Sequence, residues 1–276
     1  MYNPSLPNEI ISLCLAVSNR YFLSKQSVAL SFIFPGFVYH SSLFSIEQVT
    51  LMLSVLLVFN LFNRRYYYSV IILALSYALD SGNTQVVLVL IFYVLISMFI
   101  YKKLGSFVFI LFTLISMVIA YIGSTIILNF VASYSDRIAR IVLDYAEFDW
   151  NKWPLYLRPV MTFMSYNLMP PSMAKHPLLY IFVLSGIFYT FFKHYNSSVL
   201  NKVNFEYVVI PLALFAGISI IVFLLPGFNN AKYYIFSLPL FINSFLQYFS
   251  FKTVLIFLLI LNTVVIVDNL LFYLIW

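Results

Sequence analysis

Charge is what this sequence has least of. Asp, Glu, Lys and Arg make up 9% of its 276 residues, against roughly 25% in an ordinary soluble domain. A fold with water on every side has no use for such a composition. There is one cysteine, Cys14, which excludes a disulfide framework or a cysteine-based metal centre within the chain and is read as a packing residue. Three histidines, His40, His176 and His194, stand in three separate regions. A histidine metal site would therefore need a carboxylate partner to which nothing in the sequence points, and neither a metal nor a cofactor is expected. The Walker A, Gly-x-Gly-x-x-Gly, His-Glu-x-x-His and Gly-x-Ser-x-Gly patterns are absent, so no motif with a built-in mechanism declares an activity. Strands alternating apolar and polar residues are missing too, which excludes a β-barrel. No basic region followed by a cleavage site comes after Met1, so the chain is expected to insert through its own helices.

What is present is apolar. Hydrophobic residues form 63% of the chain and aromatic residues 20%. In lipid every backbone N–H and C=O must be paired internally, and unalternating apolar runs of about 20 residues achieve this only as helices. The clearest runs are 46–63, 84–101, 105–131, 178–192, 206–225, 233–250 and 253–275, with three weaker ones at 8–20, 27–44 and 66–79. The expected fold is all-α: a polytopic transmembrane helix bundle of about eight to ten membrane segments, one membrane domain over residues 1–276. The run 66–79 is short for a bilayer and fits a tilted or partly re-entrant helix. Tyrosines gather at segment ends, as in Tyr66-Tyr67-Tyr68 and Tyr233-Tyr234, where interfacial belts form.

The net charge of +6 is spread singly or in pairs along loops and makes no stripe, so it reads as a topology signal and not as a nucleic-acid surface. Arg20 with Lys25, Arg64-Arg65, Lys102-Lys103, Lys193 with Lys202, and Lys252 fall in alternate connections, while Asp80-Ser81-Gly82-Asn83 carries no basic residue. All five clusters are then cytoplasmic together, provided 66–79 counts as a crossing. The sequon Asn196-Ser197-Ser198 falls on that side and is discarded as a glycosylation site. The same rule puts residues 132–177 on the outer face as one large loop, with 226–232 and Trp276. The loop holds Asp136, Arg137, Arg140, Asp144, Glu147, Asp149, Lys152, Arg158, Lys175 and His176, and a loop of that length is uncommon unless functional or structured. Residues 135–148 have a helical amphipathic period, with Ser135 or Asp136 as cap, and are expected to lie along the membrane surface.

Three constellations stand out. The outer cations Arg137, Arg140, Arg158, Lys175 and Lys232 suit a phosphate clamp, because arginine offers a rigid fork of charged donors; the other reading pairs them with Asp136, Asp144, Glu147 and Asp149 in a solvated loop. Arg158, between Leu157 and Pro159 in an apolar stretch, fits a solvated role least. The segment Phe34-Pro35-Gly36-Phe37-Val38-Tyr39-His40-Ser41-Ser42 interrupts an apolar run, either as a functional break lining a cavity or as a kinked helix whose serines bond to backbone. Glu47 beyond it suits the start of the next helix. Lys232, at a helix start where its charge opposes the dipole, and Tyr233 are read either as contacts to an anionic ligand or as an interfacial anchor. Asp268, with Asn262 and Asn269 nearby, either bonds other helices or reaches the headgroups.

Arg20, the stretch Pro35, His40, Ser41, Ser42, Glu47, the arginine-rich outer loop and the late Lys232, Tyr233 and Pro239 together resemble the polysaccharide polymerases of the Wzy and EpsG type. The chain differs in being shorter and in carrying Lys232 where Arg is usual. The resemblance implies joining of undecaprenyl-diphosphate-linked oligosaccharide units at the outer face of the bacterial inner membrane. Arg137, Arg140, Arg158, Lys232 and Tyr233 would hold the diphosphate, and His40, Asp144 or Glu147 would take the acceptor proton. Partners would be the lipid-linked oligosaccharide, membrane lipids and a chain-length regulator or other envelope-assembly proteins. Two other readings stay open: a multi-span lipid-linked glycosyltransferase, expected to carry an acid in its first outer loop, and a non-catalytic transporter or accessory subunit, favoured by paired broken helices.

Overall fold

The structure is a computed structural model and describes residues 23–34, 37, 46–134, 155–160, 162, 206–225 and 233–275. Every regular element among them is helical, with no strand. In chain order these are α1 (Lys25–Ser31), α2 (Ile46–Phe62), α3 (Tyr66–Leu79), α4 (Ser81–Tyr134), α5 (Glu206–Leu224), α6 (Leu238–Phe245) and α7 (Phe251–Ile275), with 3-10 turns at Leu155–Leu157 and Ile235–Ser237. The expected runs 8–20 and 178–192 and the amphipathic stretch 135–148 lie outside the described residues.

The 54 residues of α4 are not one rod. Gly105 has φ 85° and ψ 177° inside it, a backbone state open essentially to glycine alone. The Tyr93 hydroxyl lies 2.7 Å from Ser116 Oγ although the two are 23 residues apart. In a straight helix that separation would span roughly 35 Å. The rings of Tyr93 and Phe112 stack at 5.7 Å, and Tyr101 meets Phe109 edge-on at 6.3 Å. The helix therefore folds back at Gly105 into two antiparallel arms, 81–104 and 106–134, with Lys102 and Lys103 at the bend. This agrees with the expected runs 84–101 and 105–131.

Helix α5 packs along both arms. Ala213 is buried and Gly217 follows it at i+4, so two small side chains share one face and let the backbone approach closely. A Cβ on Gly217 would stand 2.5 Å from Leu90 Cδ1 and 3.1 Å from Tyr93 Cδ1. Further along, Phe223 meets Tyr121 of the second arm at 5.4 Å. The core shared by α2, α4 and α5 includes Val58, Phe62, Leu90, Val94, Leu214 and Ile218.

Helix α2 ends with Arg64 at φ 62°. The Arg64 N–H donates to the Leu61 carbonyl at 3.2 Å and the Arg65 N–H to that of Asn60 at 2.8 Å, the two bonds of a helix terminated by a left-handed residue. Helix α3 begins at once and packs back on α2. It buries Ser69 and Ser76, seven residues apart on one face, and exposes Tyr67 (76%), Val70 (66%), Ile71, Leu75 and Tyr77. The same inversion holds in the arms of α4, where Thr84, Ser97, Thr113 and Ser124 are buried while Phe107 (76%), Ile119 and Ile126 are exposed. The buried hydroxyls of Ser31, Ser54, Ser69, Thr113 and Ser219 donate to the carbonyl four residues back, so a helix can bury them without a second partner.

Asp80 separates α3 from α4 and caps the latter: its Oδ1 accepts the Asn83 N–H at 3.0 Å, and Thr84 Oγ1 donates to its carbonyl at 2.7 Å. Asp80→Ala is expected to cost about 1 kcal/mol through the lost cap, read as a lowered Tm in detergent. One expected helix is shorter than anticipated: 233–250 divides into a 3-10 turn, α6 and a final turn at 246–249. Apolarity alone extends it; Pro239, at the first turn of α6, starts that helix and does not interrupt it. Of the run 27–44, the described residues form the end of α1 and a turn at 32–34, and the remainder, Phe37 apart, lies outside the described residues.

Candidate functional site

Of the expected site residues, Arg158 and Tyr233 are among the described ones; His40, Arg137, Arg140, Asp144, Glu147 and Lys232 lie outside them or have side chains that do. Arg158 follows the 3-10 turn Leu155–Leu157, in a helical stretch running through 160. Proline at 159 is compatible with such a start, where its missing N–H would have had no helical partner. Tyr156 (60%) and Val160 (42%) are exposed, whereas Pro159 and Thr162 are buried and Arg158 itself is half-buried. Burial lowers the Arg158 pKa from its usual value. A guanidinium remains charged through any such shift, so a partly desolvated cation with five donors stands beside exposed apolar side chains. Hydrogen bonds from such a group to an anion are stronger than they would be in water.

Tyr233 opens the other end of the expected site. It is half-exposed, directly before Tyr234, which is fully buried with Ile235, Phe236 and Ser237 in the 3-10 turn. The Ser237 hydroxyl donates to the Tyr234 carbonyl at 2.7 Å, and the turn packs on α2. The base of Tyr233 is therefore fixed by burial of its neighbours. Among the described residues the turn bearing Arg158 and the turn bearing Tyr233 make no extensive contact.

A second polar set was not anticipated. Three asparagines from three elements bracket the short helix α1. Asn63 Nδ2, after α2, donates to the Leu23 carbonyl at 3.2 Å; Asn243 Oδ1, in α6, accepts the Ser24 N–H at 3.1 Å; Asn262 Nδ2, in α7, donates to the Ile33 carbonyl at 2.6 Å. Ser24 caps the helix, accepting the Ser27 N–H at 3.0 Å, and Ser27, Leu30 and Ser31 are buried, with the helix packed on α6. Polar residues at the centre of apolar runs are the available signal, and Asn262 stands out in the sequence on those terms. Its partner is not legible there, since Ile33 is 229 residues away. The Asp268 side chain lies outside the described residues. A third set, Tyr93, Thr113 and Ser116, lies between the arms of α4: Ser116 Oγ donates to the Thr113 carbonyl at 2.9 Å while facing the Tyr93 hydroxyl.

Among the described residues no three His, Cys, Asp or Glu side chains come together as a metal site. Comparison with protein-family models, with characterised proteins and with solved structures gives no match to this chain.

Proposed function

We propose that this chain is a multi-pass membrane protein that joins undecaprenyl-diphosphate-linked oligosaccharide units into a surface polysaccharide at the outer face of a bacterial inner membrane. The membrane part of the reading is supported by the stretch Ser81–Ser124, long and apolar enough to cross a bilayer, with an apolar 18-residue window of which 17% is buried within the protein. A core helix of a soluble protein would be mostly buried; here lipid is the solvent that accounts for exposed Phe107, Ile119 and Ile126 over buried Ser97 and Thr113. Each arm of the α4 hairpin exceeds the roughly 20 residues that a crossing needs. Helix α3, about 21 Å long, crosses with the help of Arg64 and Arg65 at one end and Asp80 at the other, whose side chains reach toward headgroups. Lys102 and Lys103 at the hairpin bend then lie on the same side as Arg64 and Arg65.

The single observation carrying the polymerase reading is Arg158: a half-buried, desolvated guanidinium on a helical turn among exposed apolar side chains. A diphosphate attached to a polyprenyl chain needs a cation at the boundary between lipid and water, with its phosphate held by a fork and its tail in the bilayer. Arg137, Arg140, Lys232 and Tyr233 complete the proposed clamp, which stabilises charge on the leaving diphosphate. Asp144, Glu147 or His40 removes the proton of the acceptor hydroxyl.

The test is deletion of the gene in its host and complementation with wild type, Arg158→Ala, Arg158→Lys, Arg137→Ala and Lys232→Ala, reading the polysaccharide ladder on a gel and membrane insertion by immunoblot. Deletion is expected to collapse the ladder to single repeat units. Arg158→Ala, inserted at normal levels, is expected to leave it collapsed, with Arg158→Lys restoring it in part because a lysine keeps the charge and loses the fork. An unchanged ladder on deletion sinks the polymerase reading and returns the chain to the accessory or transporter class.

A further inference from the structure

Arg64 holds a backbone conformation that glycine or asparagine would take more cheaply. Its φ is 62°, and a long side chain in the left-handed region is uncommon and strained. The turn needs that conformation, because the Arg64 and Arg65 N–H groups reach back to Leu61 and Asn60; it does not need an arginine to supply it. Strain that persists at one position is a reason to look for what the side chain does there.

The surroundings answer that in chemical terms. Arg64, Arg65 and Lys25 are exposed. The bond from Asn63 to the Leu23 carbonyl, at 3.2 Å, and the cap at Ser24 bring Lys25 to the same end of the bundle as the two arginines. Tyr67 and Tyr68 follow in the first turn of α3, exposed at 76% and 58% and edge-to-face at 5.8 Å. Arg65 also reaches over the Phe59 ring, 5.9 Å from its centroid, which holds its base against the bundle. No Asp or Glu occurs between residues 10 and 46 or between 48 and 79, so the two stretches of chain that build this end carry positive charge alone.

From this we infer a binding site for anionic phospholipid at this end of the bundle. The phosphate of a phosphatidylglycerol headgroup is held by Arg64 and Arg65 with Lys25 beside them, and Tyr67 and Tyr68 sit at headgroup level with their rings against the first acyl carbons. Arginine forks match phosphate oxygens, tyrosines favour the membrane boundary, and clustered basic residues beside a helix end select anionic lipid. The proposed topology puts this site on the face opposite to the diphosphate clamp and separate from it. It rests on the reading of the chain as embedded in a bilayer and not on the polymerase reading.

The full-length chain is reconstituted in vesicles of equimolar phosphatidylglycerol and phosphatidylcholine, extracted in mild detergent, and its retained lipids are counted by native mass spectrometry. Phosphatidylglycerol is expected to be enriched several-fold, and the enrichment to fall by up to about five-fold in Arg64→Gly and to be lost, leaving equal retention of the two lipids, in Arg64→Gly with Arg65→Gln. Glycine suits the left-handed turn, so Arg64→Gly is expected to keep or raise the Tm, and a purely structural arginine would show that rise with lipid retention unchanged. Arg64→Lys keeps the charge and is expected to keep most of the enrichment. Equal retention of both lipids by wild type, or enrichment unaffected by Arg64→Gly with Arg65→Gln, overturns the inference. A chain that stays soluble and monodisperse without detergent overturns the membrane reading instead.

Discussion

Replacing Gly217 with leucine is expected to leave little folded protein, because the close approach of α5 to α4 depends on the missing side chain. The Cβ alone would be 2.5 Å from Leu90 Cδ1 and 3.1 Å from the Tyr93 ring. Leu90 is fully buried, so its terminal methyl cannot swing into solvent, and Tyr93 is pinned by its hydroxyl against Ser116 at 2.7 Å. Relief requires α5 to move away from the first arm of α4, opening the contact along Ala213, Leu214 and Ile218. Overpacking a core by one or two methylenes costs about 1–3 kcal/mol, so Gly217→Ala is expected to fall in that range and Gly217→Leu beyond it. Tm in detergent and the yield of monodisperse protein read both. The mechanism has its own check: Leu90→Ala vacates the space that the alanine Cβ needs, so the Gly217→Ala, Leu90→Ala pair is expected to be more stable than the sum of the two single losses. Simple additivity would show that the two residues are not in contact.

The second large effect is expected from the asparagines around α1. That helix has seven residues, far fewer than the roughly 12–15 at which a helix becomes even marginal in isolation, so its neighbours hold it. Asn243, 2% exposed, accepts the Ser24 N–H at one end, and Asn262 donates to the Ile33 carbonyl at the other. Asn243→Ala or Asn262→Ala leaves a part-buried backbone group without that partner, at about 1–3 kcal/mol each. Because the two bonds hold opposite ends of one short element, the double variant is expected to release the segment, with a loss exceeding the sum. Tm measures the loss. A thiol at position 27, Ser27→Cys in a Cys14→Ser background, is expected to react slowly in the parent and many-fold faster in the double variant. Unchanged reactivity would mean that packing on α6 suffices to hold the helix.

Much of the helix arrangement is legible in the sequence because it depends on local composition. The runs 46–63, 66–79, 206–225 and 253–275 became α2, α3, α5 and α7 with ends shifted by two residues or fewer, since an apolar run without alternation has few other ways to pair its backbone groups. The run 233–250, interrupted by polar residues and proline, reads as a longer helix than it is. There the competing principle is side-chain bonding to backbone: Asn243 of α6 bonds the Ser24 cap of α1, an arrangement invisible to hydropathy. Of the candidate site, Arg158 stands out from its apolar neighbours in the sequence and is half-buried in the structure. Its helical turn and the burial of Thr162 were not expected.

By itself the sequence determined that the described elements are helical, that most charge stands between or at the ends of the apolar runs, and where most of the described helices begin and end, because these follow from residue type and from spacing within about twenty positions. Only the tertiary structure decided what crosses those spans. It placed Gly217 against Leu90 and Tyr93, Tyr93 against Ser116 around the fold at Gly105, and Asn262 on Ile33 from the far end of the chain. Such pairs are set by how closely helices approach, and a glycine or an asparagine within a run reveals that contact is possible without revealing with whom. Arg64 sits between the two cases: the end of α2 was legible, but a left-handed φ at an arginine is set by the three residues left to turn the chain from α2 into α3.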